Sequence, residues 1–383
     1  MRMNRVAVDE RVLRWAIERS ALTAADLAHE FPRIHEWITG DSLPTLGNLE
    51  ALAAKTLTPL GFFFLDEPPD ERLPVPHFRT LREASPARPS PELLQTVWTM
   101  QRRQDWLREY MLEAGEDPLS FVGSVRVDEA PEKIAERMRR DLGLSVDWAA
   151  NLPTWERAVR TLHLAMEESG MIVVVSSILG NNTHRKLKVE EFRGFVLVDA
   201  HVPIAFVNGA DSKAAQMFTL AHELAHVFVG SSAAFDLRQL QPAADAVEQA
   251  CNLVAAEFLV PGERLCSIWP SVASGPEPLQ SLAYRFKVSA IVAARRALDL
   301  ALIGWDEFLE FYNAREQARP AKQAGGGDFY AMQNLRVGRR LASAVIQAVE
   351  TGQIPYSHAF RLTGLYGRAF DGYASLIRSE RGS

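Results

Sequence analysis

The stretch Met217–Gly230, MFTLAHELAHVFVG, sets two histidines and a glutamate inside an otherwise apolar run. At helical spacing Phe218, His222, Ala225, His226 and Val229 share one face, so the segment reads as a core helix whose imidazoles either bond internally or hold an ion. Residues four apart on a helix lie about 5–6 Å apart at Cβ, close enough for His222 and His226 to share one metal. Glu223, next to His222, is placed to reach a metal-bound water as general base, the H-E-x-x-H arrangement. Packing alone would leave three buried polar side chains in need of partners, at about 1–3 kcal/mol for each one unpaired. A metal meets that need.

Two imidazoles do not complete a site. A second amphipathic pattern, VEQACNLVAAEFLVP at Val247–Pro261, supplies candidates for a third ligand. Glu248 and Asn252 are four apart there, so one can ligate while the other hydrogen-bonds a ligand histidine. Glu257 is nine residues on from Glu248 and is read as a solvated surface carboxylate.

Upstream, MIVVVSS (171–177), GFVLVD (194–199) and PIAFVN (203–208) are β-branched or aromatic runs, the last two joined by AHV as in a hairpin. PIAFVN is expected to offer an edge on which an extended substrate adds as a strand. Asp211 is the expected N-cap of the histidine helix, and His184, in LGNNTHRKL, is a candidate for stabilising an oxyanion. The fold class is therefore α+β: mostly helical, with a small sheet feeding the histidine helix.

The chain of 383 residues has room for two or three domains, with 47% hydrophobic and 23% charged residues and a formal charge of −6. That charge argues against nonspecific capture of nucleic acid, so any DNA contact must be local. The opening MRMNRVAVDE has no apolar core for secretion, and no window reaches a membrane span, so a cytoplasmic protein without membrane contact is expected. Cys251 and Cys266 are read as thiols.

NGADSKAAQMFTLAHELAHVFVG followed by VEQACNLVAAEFLVP resembles the ImmA/IrrE family of metallopeptidases, and KLKVEEFRGFVLVDAHVPIAFVNGAD upstream matches the same pattern. The usual family form is F-T-L-A-H-E-L-A-H followed by E-x-x-A-N-x-F-A-A-x-L-L-x-P. Cys251, Val254 and Phe258 depart from it, none at a ligand position. The resemblance covers roughly residues 130 to 265. It implies a zincin-like peptidase in which His222, His226 and Glu248 bind Zn2+, Glu223 activates water and Asn252 supports a ligand from behind. A similarity to thermolysin-like enzymes favours Glu248 over Glu257.

Residues 10–65 read as short helices with Thr23 and Thr45 as N-caps and Leu46, Leu49 and Leu52 on one buried face. GDSLPTLGNLEALA resembles the helix-turn-helix of XRE-type regulators, although HEFPRIHE, interrupted by Pro32, leaves little room for a recognition helix. Seven Lys and Arg against eight Asp and Glu over residues 1–65 give no basic footprint, so a surface for docking a protein is expected rather than direct DNA reading.

The segment 282–303, with Ser289 as N-cap and Arg285, Lys287, Arg295 and Arg296 against Asp299, also has a helix-turn-helix look and a positive balance suited to DNA phosphates. The expected division is 1–78 a degenerate XRE-like module with a Pro-rich strap, 79–130 a connecting helix, 131–270 the peptidase, 271–320 the helix-turn-helix-like segment and 321–383 a C-terminal helical module. The implied function is a zinc endopeptidase that cuts a specific protein, a transcriptional repressor or antitoxin. The competing reading is a regulator or antitoxin-like protein that uses the peptidase fold to bind a toxin or DNA.

Overall fold

The computed structural model describes residues 5–71, 89–231, 233–235, 246–317 and 329–381. The Pro-rich strap beyond Glu71 and the glycines Gly325–Gly327 lie outside the described residues. The chain divides into two compact units, one formed by 1–74, 79–99 and 182–186 and the other by 75–78, 100–181 and 187–383.

The first unit holds α1 (Glu10–Arg19), α2 (Ala24–Ala28), α3 (Ile34–Thr39), α4 (Leu46–Thr56) and a 3-10 turn at Leu60–Phe64. Thr23 and Thr45 cap α2 and α4 as the sequence predicts, each in a reciprocal box with Asp26 or Asn48. Val12, Leu13, Leu27, Ile34, Leu49, Leu52 and Phe63 form its core. Leu46 departs from expectation: as the first residue of α4 it lies off the inward face of Leu49, Leu52, Ala53 and Thr56, and is exposed. A turn at Pro32 and Arg33 leads into α3, a short helix ended by the left-handed Gly40.

The second unit begins within α5 (Pro91–Glu113) and continues through α6 (Pro131–Asp141) and α7 (Trp155–Glu168) to the strands β1 (Ile172–Ser176), β2 (Gly194–Leu197) and β3 (Ile204–Asn208). Helix α8 (Lys213–Val229), strand β4 (Ala233–Phe235) and α9 (Ala246–Leu259) come next. After them run α10 (Gly262–Val272), α11 (Pro278–Phe286), α12 (Ala290–Asp299), α13 (Trp305–Gln317), α14 (Phe329–Val337), α15 (Arg339–Glu350), α16 (Tyr356–Thr363) and α17 (Arg368–Arg381). Among these described residues no helix is long and apolar enough to cross a membrane. Cys251 and Cys266 are both free, as read from the sequence.

The strands form one mixed sheet in the order β1-β3-β2-β4, with β1 parallel to β3 and the β2–β3 hairpin antiparallel. The expectation of an edge at PIAFVN is corrected: β3 pairs on both sides, so its backbone is already committed. One face, Val173, Val175, Val196, Ala205 and Val207, joins the core with α7 and α8. The other carries Phe195 stacked on Phe206, ring centroids 5.1 Å apart, and Ile172, which meets Gly338 at the start of α15. Burial on both faces explains why β1 to β3 read as continuous apolar runs rather than alternating ones.

The C-terminal helices are fastened by one buried cation. Arg103 of α5 donates to the carbonyl of Arg336 (2.7 Å) and to those of Leu362 (2.8 Å) and Thr363 (3.5 Å), the final turns of α14 and α16. It caps two helix C-termini at once, where cations are favoured. Burial lowers its pKa to about 10, so it keeps its charge at neutral pH. Arg103→Met should lower unfolding stability by about 2–4 kcal/mol, because the freed carbonyls stay buried without donors; a urea titration beside wild type measures it.

A second buried polar pair lies on α7. His163 Nε2 donates to the Val173 carbonyl at 3.2 Å, its Nδ1 is 3.8 Å from Glu167 Oε2, and Glu167 Oε1 accepts from the Arg339 backbone N–H at 3.0 Å. Burial pushes Glu167 up to about 7 and His163 down to about 4, so both are neutral near pH 6. As pH rises from 4.5 to 7 the unfolded chain releases the Glu167 proton while the folded chain keeps it, and stability falls. His163 acts oppositely, lowering stability as pH falls from 6.5 to 4. Glu167→Gln should therefore gain on wild type, on the order of 2 kcal/mol, between about pH 5 and pH 8 in paired denaturation curves.

Candidate metal centre

Helix α8 starts at Ser212, whose hydroxyl accepts from the Ala215 N–H, and ends at the left-handed Gly230. The expected cap, Asp211, instead pairs with Arg193 at 2.8 Å through Oδ2 and accepts from the Ser212 N–H through Oδ1, one residue short of the capping position. Every residue from Gln216 to Phe228 is buried, since α8 sits among the sheet, α7 and α9. His222, Glu223 and His226 are each 0% exposed. Three ionisable groups in that setting are costly unless they are compensated.

Compensation comes from α9, packed along α8. Glu248 Oε2 lies 3.3 Å from His222 Nε2, Glu248 Oε1 lies 3.2 Å from His226 Nε2, and the two Nε2 atoms are 3.0 Å apart. Each of the three residues offers one ligand atom, all within 4.8 Å of one another. A tetrahedral ion bound at about 2.0–2.1 Å would hold its donors about 3.3 Å apart, so the spacing matches. Asn252, one turn beyond Glu248, hydrogen-bonds His222.

The electrostatics of these groups suit a divalent cation. Burial lowers His222 to about 4, which leaves the neutral ring a metal needs. Burial alone would raise Glu248, but its bonds to both histidines hold it well below the usual carboxylate range. Glu223 is the opposite case: burial, then the charge of Glu248, pushes it far up. Both Glu223 oxygens and Nδ1 of His226 have no hydrogen-bond partner among the described residues. The donor set and the orphaned carboxylate therefore fit a divalent ion.

The sheet contributes a residue that the sequence reading leaves unassigned. A Cβ on Gly194 would lie 2.5 Å from Thr219 Cγ2, 2.8 Å from the Phe206 carbonyl oxygen and 3.1 Å from Glu223 Oε1. The bare glycine lets β2 press against the carboxylate. A glycine heading a strand pattern is the signal for such close approach.

Two other residues fall elsewhere. Glu257 is a correction: it is buried, accepts from the Gly262 N–H at 3.1 and 3.2 Å and pairs with Arg296. Its helix turns it toward α12, where Arg296 also donates to the Val260 carbonyl. His184, the residue considered for an oxyanion, belongs to the first unit and is exposed. In the 282–303 segment Ser289 is the N-cap, as expected, yet Lys287 and Arg296 are buried. That removes two of the cations counted toward its positive balance.

Gly194→Ala should cost about 1–3 kcal/mol of stability, since the Phe206 carbonyl cannot swing away as a side chain would. Gly47→Ala, inside α4 with nothing within 4 Å of the new Cβ, is the control and should be neutral or slightly stabilising in the same melt.

Compared with known proteins, residues 337–375 match a domain of unknown function (DUF8813). No curated protein matches the chain. Residues 167–298, which carry β1 to β4, α8, α9 and the convergent ligand atoms, match the IrrE N-terminal-like domain of the Peptidase_M78 family, a match that supports a metallopeptidase of the ImmA/IrrE type and implies a metal ion.

Proposed function

We propose that the protein is a zinc-dependent endopeptidase in which His222, His226 and Glu248 hold Zn2+, Glu223 is the general base and Asn252 steadies His222. The observation that carries this reading is the approach of two imidazole nitrogens and a carboxylate to 3.0–3.3 Å of one another beside a buried, unpartnered Glu223. Bound zinc would supply Lewis-acid polarisation of the scissile carbonyl and acidify water.

The protein's own residues do the rest. Glu223 takes a proton from the water whose oxygen attacks the carbonyl carbon, and delivers it to the amide nitrogen as the C–N bond breaks. Burial and the charge of Glu248 favour protonated Glu223, and a cation held by His222, His226 and Glu248 would favour its ionised form, the form that acts as base. The enclosed position of α8 limits access by bulk water and suits a selective enzyme. The substrate class, a regulatory protein such as a repressor or antitoxin, rests on the family resemblance, and the N-terminal helical unit is read as its docking module.

Metal content tests the ligands and turnover tests the base. Wild type should carry about one zinc per chain, lost in His222→Ala and in Glu248→Ala. Glu223→Gln should retain zinc while cleavage of the partner protein falls by at least about a hundredfold. A folded wild type that takes up no zinc when supplied with it would overturn the reading.

A further inference from the structure

A surface on the C-terminal helices remains unused by the peptidase reading. At α16 and the loop into α17, Tyr356, Phe360 and Tyr366 form a row of rings, with centroids 6.0 Å apart from Tyr356 to Phe360 and 5.6 Å from Phe360 to Tyr366. Tyr366 is 66% exposed and Tyr356 54%, although most aromatic side chains among the described residues are at least half-buried. Phe370, buried beneath, meets both Tyr356 and Phe360 edge-on. Leu365, Ala359 and Tyr373 anchor the same turn in the interior. The rings are held on a packed base rather than on a loose loop.

The sequence around the row is net positive. Residues 329–383 contain seven arginines, no lysine and three carboxylates, an excess of four positive charges in a chain whose total is −6. Between Thr351 and Arg378 the only carboxylate is Asp371. Arg361 follows Phe360 directly, Arg368 follows the Tyr366–Gly367 pair, and both are exposed. Arg102 of α5 adds a third guanidinium: α5 and α16 adjoin through Arg103 and the Trp106–His358 ring contact, and burial, then the charge of Arg361, lowers the pKa of Arg102.

We propose that Tyr356, Phe360 and Tyr366, flanked by Arg361 and Arg368, form a binding platform for single-stranded nucleic acid. The two exposed tyrosines, held on either side of the half-buried Phe360, offer aromatic surface on which unpaired bases can stack, and guanidinium groups beside them meet the phosphates between those bases. A duplex hides its base faces and would use the arginines alone, leaving the tyrosines without a role. An acidic peptide would satisfy the arginines but gives no reason for three adjacent rings. This inference stands apart from the peptidase reading, since none of its residues belongs to the metal centre.

The test is fluorescence anisotropy of the full chain with labelled oligo(dT) and oligo(U) of about 16 nucleotides, beside a duplex of the same length. Wild type should bind the single strands more tightly than the duplex, with affinity falling as salt rises. The ratio of the two single-strand affinities distinguishes DNA from RNA as the source. Tyr356→Ala with Tyr366→Ala should weaken single-strand binding at least about tenfold at an unchanged melting temperature. Arg361→Gln with Arg368→Gln should reduce the salt slope by about 1.4, at about 0.7 per phosphate contact. Tyr366→Trp, which keeps a ring in place, should retain binding and show quenched indole emission on adding oligonucleotide. No single-strand binding at low salt would overturn the proposal, and so would binding that ignores the tyrosines or prefers the duplex.

Discussion

Enclosing ionisable groups in a dry helix is the constraint on which the rest of the structure depends. Helix α8 is apolar on nearly every side and buried throughout its middle, yet it carries His222, Glu223 and His226. Such groups survive in a core only if charge and hydrogen bonding are returned to them. Helix α9 returns part of that through Glu248 and Asn252. The remainder, above all the orphaned Glu223 carboxylate, is what a divalent ion would answer.

The position of α9 is itself secured by a polar network at its far end. Glu257 binds Arg296 and the Gly262 N–H, while Arg139 of α6 donates to the carbonyls of Glu257 and Phe258 at 3.1 Å. These cations cap the C-terminus of α9, where the helix dipole is negative. The residue that resembled a spare surface acid thus holds the helix bearing Glu248. Arg103 does comparable work for α14 and α16. In both places arginine suits the task because its planar fork can serve several carbonyl oxygens at once and stays charged when buried.

Much of this was legible in one dimension because its signals are local. The four-residue spacing of His222 and His226 is a statement about a helix face, and the caps at Thr23, Thr45 and Ser289 are contacts within one turn. The strands at 172–176, 194–197 and 204–208 announced themselves by composition, and the β2–β3 hairpin by a short connection. What failed was non-local. The edge expected at PIAFVN became a centre strand because β1 pairs alongside it, and strand order is set by which apolar faces pack rather than by proximity in sequence. Asp211 lost the cap to Ser212 through its pairing with Arg193, eighteen positions away.

By itself the sequence determined the element types, the helix face that groups the two histidines and the candidates Glu248 and Asn252 for completing the site, because helical periodicity maps spacing directly onto geometry. Only the tertiary structure decided that two imidazole nitrogens and the Glu248 carboxylate approach one another to 3.0–3.3 Å, that Gly194 closes on Glu223 and that Glu257 turns inward to Arg296. Those outcomes depend on how helices and sheet meet across a shared core. Periodicity says which face is apolar; packing selects the partner that covers it and the charges that are enclosed with it.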